Sequence, residues 1–564
     1  MSRLQALVAS ETRRSQLGTT ALVLLALGAG LIIQWPAWAQ SSYFLLTKSL
    51  ARGTARIDSD QWQTGDKSWV NGHFYSVKAP GMPVMLVPPY LGLRAIGFDG
   101  VSSSYESGKK SSKPAAGPPA KRRAMAKLKK ERLTIWALGI FGTVIPFLIL
   151  LFLVRRDAEV VASGTGVATA LTLGFGTMLL PFASHLFGHV LGALLLYLSF
   201  HLLFRERRTK PDLKLLALAG LSAGVAVDVE YPMAFGGLVL GIYAISTQAG
   251  VPFSLRTLVT RGLAFGSTLL AALVPLAIYN RLAFGSFSYM SYNAAVAVQG
   301  KSGHAKIGLN DSGFFGISIP DPTSFVDILA SPRGLLSISP VCAIAVVGLL
   351  WVWRKGFRFE VLAVSAIVAI YLIYVSGYWL PFGGNSPGPR FLIPILPFIA
   401  LGLAASFERM PLPTLGLAVV SASVMVVASL AGPLVAPGSV HSWWSHLLAG
   451  NSTASAGTLI GLPKGFWSAS LIYLSWAAAV VCGAFSSRWE VNVSRSQLLL
   501  TAALIGGWAV LGLFISPALG EKKILPGAAA TGLAWQLVVV GSGLALAAVG
   551  IVTVLTRRKQ VATY

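Results

Sequence analysis

Three carboxylates, Asp58, Asp60 and Asp66, share one stretch of chain with Lys67, His73, Tyr75 and Lys78. A carboxylate with cations close by can take a proton from a hydroxyl as a general base, while the cations hold a phosphate. A solvated loop that happens to be charged would have the same composition. The surroundings set this stretch apart: "DKSWVNGHFYSVKAPG", Asp66 to Gly81, belongs to a chain that is 54% hydrophobic and 12% charged. Soluble domains carry roughly a quarter charged residues, so the chain reads as an all-α polytopic membrane protein.

Apolar runs able to cross about 30 Å of hydrocarbon at 1.5 Å per residue recur near residues 17–38, 134–154, 160–182, 187–204, 214–229, 231–247, 259–279, 337–353, 359–377, 391–407, 413–434, 467–485, 498–516 and 532–556. This predicts about fourteen helices. The first run is too long for a signal-peptide core and is read as a retained span. "PVMLVPPYLGLRAIGF", Pro83 to Phe98, is short, holds two prolines and carries Arg94. If it does not cross, "RERRTK" (205–210), "WRKGFR" (353–358), "SSRWEVNVSR" (486–495) and "TRRK" (556–559) all share the cytoplasmic side with Arg13 and Arg14, as orientation by positive charge requires. The cost is that "KRRAMAKLKKER", Lys121 to Arg132, falls outside, after a polar connector at 107–119. The net charge of +25 is thereby explained by membrane orientation, and nucleic-acid binding is set aside. Function is expected at the outer face of the cell membrane, where the long loops 39–133, 280–337, 377–391 and 435–466 fall.

A long outer loop closing on "YSVKAPG" (Tyr75 to Gly81) resembles the GT-C superfamily of integral-membrane glycosyltransferases, notably its aminoarabinose-transferase and protein-mannosyltransferase-like branch. "YFLLTKSLARG" (Tyr43 to Gly53) is similar to that branch's first juxtamembrane helix, and 83–98 to a further helix along the surface. "TMLLPFASHLFGHVLGALLLYLSF" (Thr177 to Phe200), "VEYP" (Val229 to Pro232), "YNRLAFGSFSYMSY" (Tyr279 to Tyr292), "SPRGLLSISP" (Ser331 to Pro340) and "YWLPFGGNSPGPRFLIPILPF" (Tyr378 to Phe398) extend the likeness over roughly residues 15–410. It implies a GT-C catalytic module over 1–410, with 411–564 as supporting helices. It also implies a polyprenyl-phosphate sugar donor, a glycan, lipid or protein acceptor, and an acid of the first outer loop that deprotonates the acceptor, usually with inversion. The chain departs from the commonest pattern in having "AQSSYF" (Ala39 to Phe44), with no acid, directly after the first span.

The candidate bases are Asp66 and Asp58, with Asp66 ahead because it lies inside the polar block, and Asp60 is expected to cap a turn. Lys78, a compact point charge, suits the carrier phosphate, although it could equally snorkel to the interface. Arg390, at the entrance to a span, could grip phosphate through two bonds or serve as an anchor, and Lys67 is a third phosphate candidate. His73 and Tyr75 are assigned to substrate. His185 and His189 stand four residues apart and are expected on one helical face, contacting sugar or phosphate or simply bonded within the helix. Glu230, at a predicted helix end, is an ionisable group near membrane depth, able either to bind substrate or to hold a cation in the core. Tyr292 belongs to an aromatic loop (288–322, with His304, Asp311 and Asp321) suited to stacking on sugar. "HSWWSH" (441–446) reads as an interfacial belt. Cys342 and Cys482 both lie in apolar runs and read as packing residues.

No cluster demands a metal. A divalent cation serves parts of the superfamily, and the two-histidine pair lacks further ligands. No Gly-rich phosphate loop follows a predicted strand, as expected if a lipid delivers the sugar laterally. The competing classes are a secondary transporter or flippase for lipid-linked sugars, which needs ionisable groups near mid-membrane and internal repeats, and a membrane scaffold or polymer ligase acting on lipid-linked glycans.

Overall fold

The computed structural model describes residues 3–107, 119–246, 254–295, 316–432, 434, 443, 447, 449–450, 452–463, 465–487, 494–515, 541–543, 545 and 548. Residues 108–118 of the connector, His304 and Asp311, most of "HSWWSH" and most of the predicted span 532–556 lie outside them.

The described chain is mostly helical, and eight of its helices are long and apolar enough to cross a membrane: Pro119–Val161, Gly188–Arg208, Leu255–Phe284, Arg358–Gly377, Arg390–Arg409, Pro411–Ala431, Phe466–Ser486 and Arg495–Ile515. A ninth arises if Pro322–Ile338 and Val341–Arg354, bent by 87°, count as one broken span. The bend falls at Ser339-Pro340, where the proline ring drives the residue before it out of the helical region; Ser339 sits at φ −142°, ψ 64°. Side-chain caps set several starts: Asp212 accepts from the Lys214 amide, Ser254 from Thr257, Asp321 from Thr323 and Ser494 from Gln497.

Three sequence expectations need correction. The first apolar run is not one helix: Arg3–Gly30 stops at Gly30, Ile32–Ile33 pairs with Ala454–Ser455, and a new helix starts at Trp38. The run 160–182 is split into Gly166–Gly176 and Leu179–Ala183. The tract Lys121 to Arg132 is the first part of the 43-residue Pro119–Val161 helix, about 64 Å long at 1.5 Å per residue. The segment 83–98 forms the 15-residue helix Gly81–Ala95, with Pro88 and Pro89 inside it.

That long helix separates two ends. At its start, Lys127, Glu131 and Arg132 bond to residues of 33–60, and Thr134 to Asp99. At its finish, the Val161 carbonyl accepts from Lys355 at 2.8 Å. Here the basic turns at 205–210 and 353–358 meet, with Arg208 over the Phe357 ring. A buried network also closes this end: Arg261 donates to both Glu206 oxygens at 2.7 and 2.9 Å, while Arg207 lies 3.4 Å from Glu360.

The helices after Pro411 dock on the earlier ones. Trp508 donates to the Ser337 carbonyl, Gln34 to that of Ser429, and Trp476 to that of Leu25. Trp443, expected at an interface, is 1% exposed and packs in the core. Cys342 is buried, Cys482 is half-buried, and both are free thiols.

Candidate functional site

The polar stretch after the first helix folds into a hairpin. Lys67–Val70 pairs with His73–Ser76, Lys67 opposite Ser76 and Val70 opposite His73. Asn71 and Gly72 turn the chain at φ 49° and 83°, the left-handed pair that a two-residue hairpin requires. This register sets the residues just outside the two strands side by side. Lys78 Nζ stands 2.7 Å from Asp66 Oδ2, both largely buried. The helix Trp38–Leu50 underpins the pair: Ser42 Oγ donates to the Asp66 carbonyl at 2.6 Å and bonds Ser76 Oγ at 2.7 Å, and Ser76 Oγ accepts from the Lys78 amide at 3.0 Å. Gly81, the last residue of "VKAPG", opens the next helix against the end of Leu213–Val229. A Cβ there would lie 2.5 Å from the Asp228 carbonyl carbon, so only glycine permits the approach.

A second acid faces the same region. Glu230 caps Leu213–Val229; its Oε2 is 2.7 Å from His189 Nδ1, and its Oε1 accepts from the Tyr43 hydroxyl at 3.4 Å. His189 lies at the start of Gly188–Arg208, stacked on Phe187 and edge-on to Phe182 and Phe391. Its Nε2 is buried without a hydrogen-bond partner. Arg390 opens its own helix with the guanidinium over Phe187 and Phe391, 5.2 and 5.4 Å from the ring centres, and its Nε is likewise unpartnered. Tyr292 and Tyr378 share a 2.7 Å hydroxyl bond.

These groups form one electrostatic neighbourhood. The Asp66 charge acts on Tyr43, Tyr292 and Tyr378; Arg390 acts on Tyr43, Tyr374 and Tyr378; Lys78 and Arg390 both act on His189. Burial first, and then Glu230, hold the Tyr43 hydroxyl well above the usual tyrosine range, which keeps it a neutral donor.

Other sequence candidates go elsewhere. Asp58 is half-exposed, accepting from the Phe74 amide at 2.6 Å and lying 2.8 Å from His73 Nδ1. Asp60 was expected to cap a turn; it lies within the short 3-10 helix Asp58–Gln63, and its carboxylate is locked between Lys48 at 3.3 Å and Lys127 at 2.5 Å. Lys67 is enclosed by Gln61, which takes its ammonium through the backbone carbonyl at 3.1 Å and through its side chain, and by the rings of Trp62 and Phe74 at 4.8 and 4.9 Å. Burial pushes that ammonium down to about 8. Tyr75 packs edge-on against Phe284. The two histidines do not share a helical face: Phe187 is extended between them, and the helix starts only at Gly188. His185 instead bonds the Pro181 carbonyl at 2.6 Å.

Tyr43, Tyr374 and Tyr378 were not singled out as site residues in the sequence, although Tyr43 and Tyr378 each open a quoted motif. Their signal is weak, because tyrosines in apolar helices are ordinarily packing residues. Among the described residues, no three His, Cys, Asp or Glu side chains converge to hold a metal ion. No protein-family model, curated protein or solved structure matches the chain.

Proposed function

We propose that the protein is a GT-C-type membrane glycosyltransferase, of about fourteen spans, that moves a sugar from a polyprenyl-phosphate donor to a hydroxyl acceptor at the extracytoplasmic face of the cell membrane. The observation that carries this is the buried Asp66–Lys78 pair, 2.7 Å apart, facing a neighbourhood that also holds Arg390 and the His189–Glu230 pair. Such a site offers a base, two cations for a phosphate, and neutral hydroxyls for a sugar.

In this reading the ion pair is a resting state. A carboxylate in direct contact with an ammonium is a poor base, because the cation favours its charged form. A donor phosphate competes for Lys78 and is gripped by Arg390, which leaves Asp66 a stronger base. Asp66 then takes the acceptor's hydroxyl proton as the oxygen attacks the anomeric carbon. The bond from that carbon to the phosphate oxygen breaks, its electron pair stays on the phosphate, and the two cations stabilise the departing anion. Attack opposite the leaving group inverts the centre. His189, with its tautomer fixed by Glu230, and the hydroxyls of Tyr43 and Tyr292 bind sugar. Asp58, tied to the exposed His73 pair, ranks behind Asp66.

The test is transfer by purified protein from a polyprenyl-phosphate sugar to candidate acceptors. Asp66→Asn is expected to lower the rate by at least about a thousandfold, on the scale of a removed general base, and Asp58→Asn by no more than a few-fold. Full transfer by Asp66→Asn overturns the assignment.

A flippase or transporter for lipid-linked sugars is the second reading, favoured by the buried pair of Asp157 and His201, 2.7 Å apart inside the helix bundle. Asp157 lies within about one turn of the end of its helix, whereas a transport site belongs near mid-bilayer. Movement of a fluorescent polyprenyl phosphate between leaflets of proteoliposomes, lost in Asp157→Asn and kept in Asp66→Asn, would favour this reading over the first.

A further inference from the structure

Arg333 lies outside the neighbourhood just described, yet it is one of the most deeply buried large side chains in the molecule, at 2% exposure. It sits in the turn between Pro322–Ala330 and Leu335–Ile338. Its Nη1 donates to the carbonyls of Gly384 and Ser386 at 3.1 and 3.0 Å, and its guanidinium lies 4.7 Å from the centre of the Phe382 ring. All three belong to the loop "PFGGNSPGPR", Pro381 to Arg390, which ends on the phosphate candidate. That loop is also in contact with Arg390 directly. Gly383 is left-handed at φ 71°, and a Cβ on it would stand 2.2 Å from Arg390 Nε, so the Arg390 side chain lies against the backbone of the segment that Arg333 holds.

We infer that Arg333 is a positioning residue: by clamping the 384 and 386 carbonyls it fixes the Gly383 shelf that aims the Arg390 guanidinium at the donor phosphate. Buried charge is costly, and a planar guanidinium can lie against an aromatic ring while one of its nitrogens donates to two carbonyls. Because these two bonds go to backbone, the clamp acts on loop shape, and the Phe382 ring adds to its hold. The inference rests on the reading of the site as a phosphate site.

The experiment uses full-length protein in nanodiscs with undecaprenyl phosphate as probe and undecaprenol as control, following affinity by quenching of intrinsic tryptophan fluorescence. The wild type is expected to prefer the phosphate. Arg390→Ala and Arg333→Ala should each weaken binding by about tenfold, the scale of one lost charge-assisted contact. In the Arg390→Ala background Arg333→Ala should add less than about twofold, because its effect passes through Arg390. A merely structural role would not vanish in that background. Phe382→Leu, which leaves the clamp's hydrogen bonds in place, keeps the test open if Arg333→Ala fails to fold, with an expected weakening of about two- to threefold that likewise disappears without Arg390. A wild type that binds both lipids equally sinks the phosphate reading itself. A wild type that discriminates, with Arg333→Ala and Phe382→Leu either without effect or fully additive with Arg390→Ala, overturns the positioning role alone.

Discussion

Replacing Asp60 by Asn should loosen the layer built from residues 38–76 without touching the Asp66–Lys78 pair. Asp60 and Lys48 side chains are each 6% exposed, and Lys48 also contacts Glu131. The four groups Asp60, Glu131, Lys48 and Lys127 balance in charge; the substitution leaves one positive charge in excess. Breaking a buried pair costs about 3–5 kcal/mol, whereas the contact from Lys127, itself 48% exposed, adds at most about 1 kcal/mol. Glu131 still serves Lys48, so a loss of about 3 kcal/mol is expected, or roughly a hundredfold in local opening. Hydrogen exchange of amides 38–76 in nanodiscs reads this directly.

The pH dependence gives a second check. Burial raises the Asp60 carboxyl, but the Lys127 hydrogen bond and the charges of Lys48 and Lys127 outweigh it and hold the group below the usual range. A depressed carboxylate contributes stability that is present above its unfolded value near 3.9 and lost as pH falls through the folded value. The gap between wild type and Asp60→Asn should therefore persist above about pH 4 and close below it. Equal protection of the two proteins at pH 7 would refute the reasoning.

Lys67 should give a rise of the same sign in an alkaline window, there because burial disfavours its charged form. With its folded ammonium at about 8 and the unfolded one near 10.4, the unfolded chain binds more protons between those values. Protection of 57–76 should rise from pH 8 to 10, and Lys67→Met should remove that rise. Gly81→Ala places a methyl 2.5 Å from the Asp228 backbone, and overpacking of about 1–3 kcal/mol should lower the thermal unfolding midpoint by several degrees. For sidedness, Thr54→Cys, in a chain whose Cys342 and Cys482 are alanine, should react with a membrane-impermeant maleimide from outside intact cells. Reaction only after lysis would place the hairpin on the other face.

Most helices were readable in the sequence as long apolar runs, although 17–38 and 160–182 break and eight helices are long enough to cross a membrane among the described residues. Their ends were harder. The first helix stops at Gly30 and Pro36 precedes the start of the next, both inside one largely apolar run, since hydropathy does not register where backbone bonding fails. The basic tract from Lys121 read as a polar loop because its partners, Asp60 and the Ile33 and Gln34 carbonyls, lie far back in the chain. The site was half legible. The hairpin that joins Asp66 to Lys78 is local, yet its Asn71-Gly72 turn went unread in a chain expected to be all-α. The meeting of Tyr43 with Glu230, 187 residues apart, and of Arg390 with His189 is tertiary, and no spacing rule reports it. The sequence ranked Asp66 ahead of Asp58 by its polar block alone, and their partners separate Asp58, Asp60 and Asp66 more sharply.

The tie between Asp60 and Lys127 also has a temporal side. The two residues are 67 positions apart, so on a ribosome adding about 5–20 residues per second the first waits roughly 3–13 s for the second. Throughout that interval Lys48 and Asp60 have left the ribosome without the helix that will cover them. Synthesis of this protein therefore includes a stage in which a half-built charged platform waits for its covering helix. A helper that shields such a platform would gain its advantage in those seconds, before the basic helix arrives to seal it.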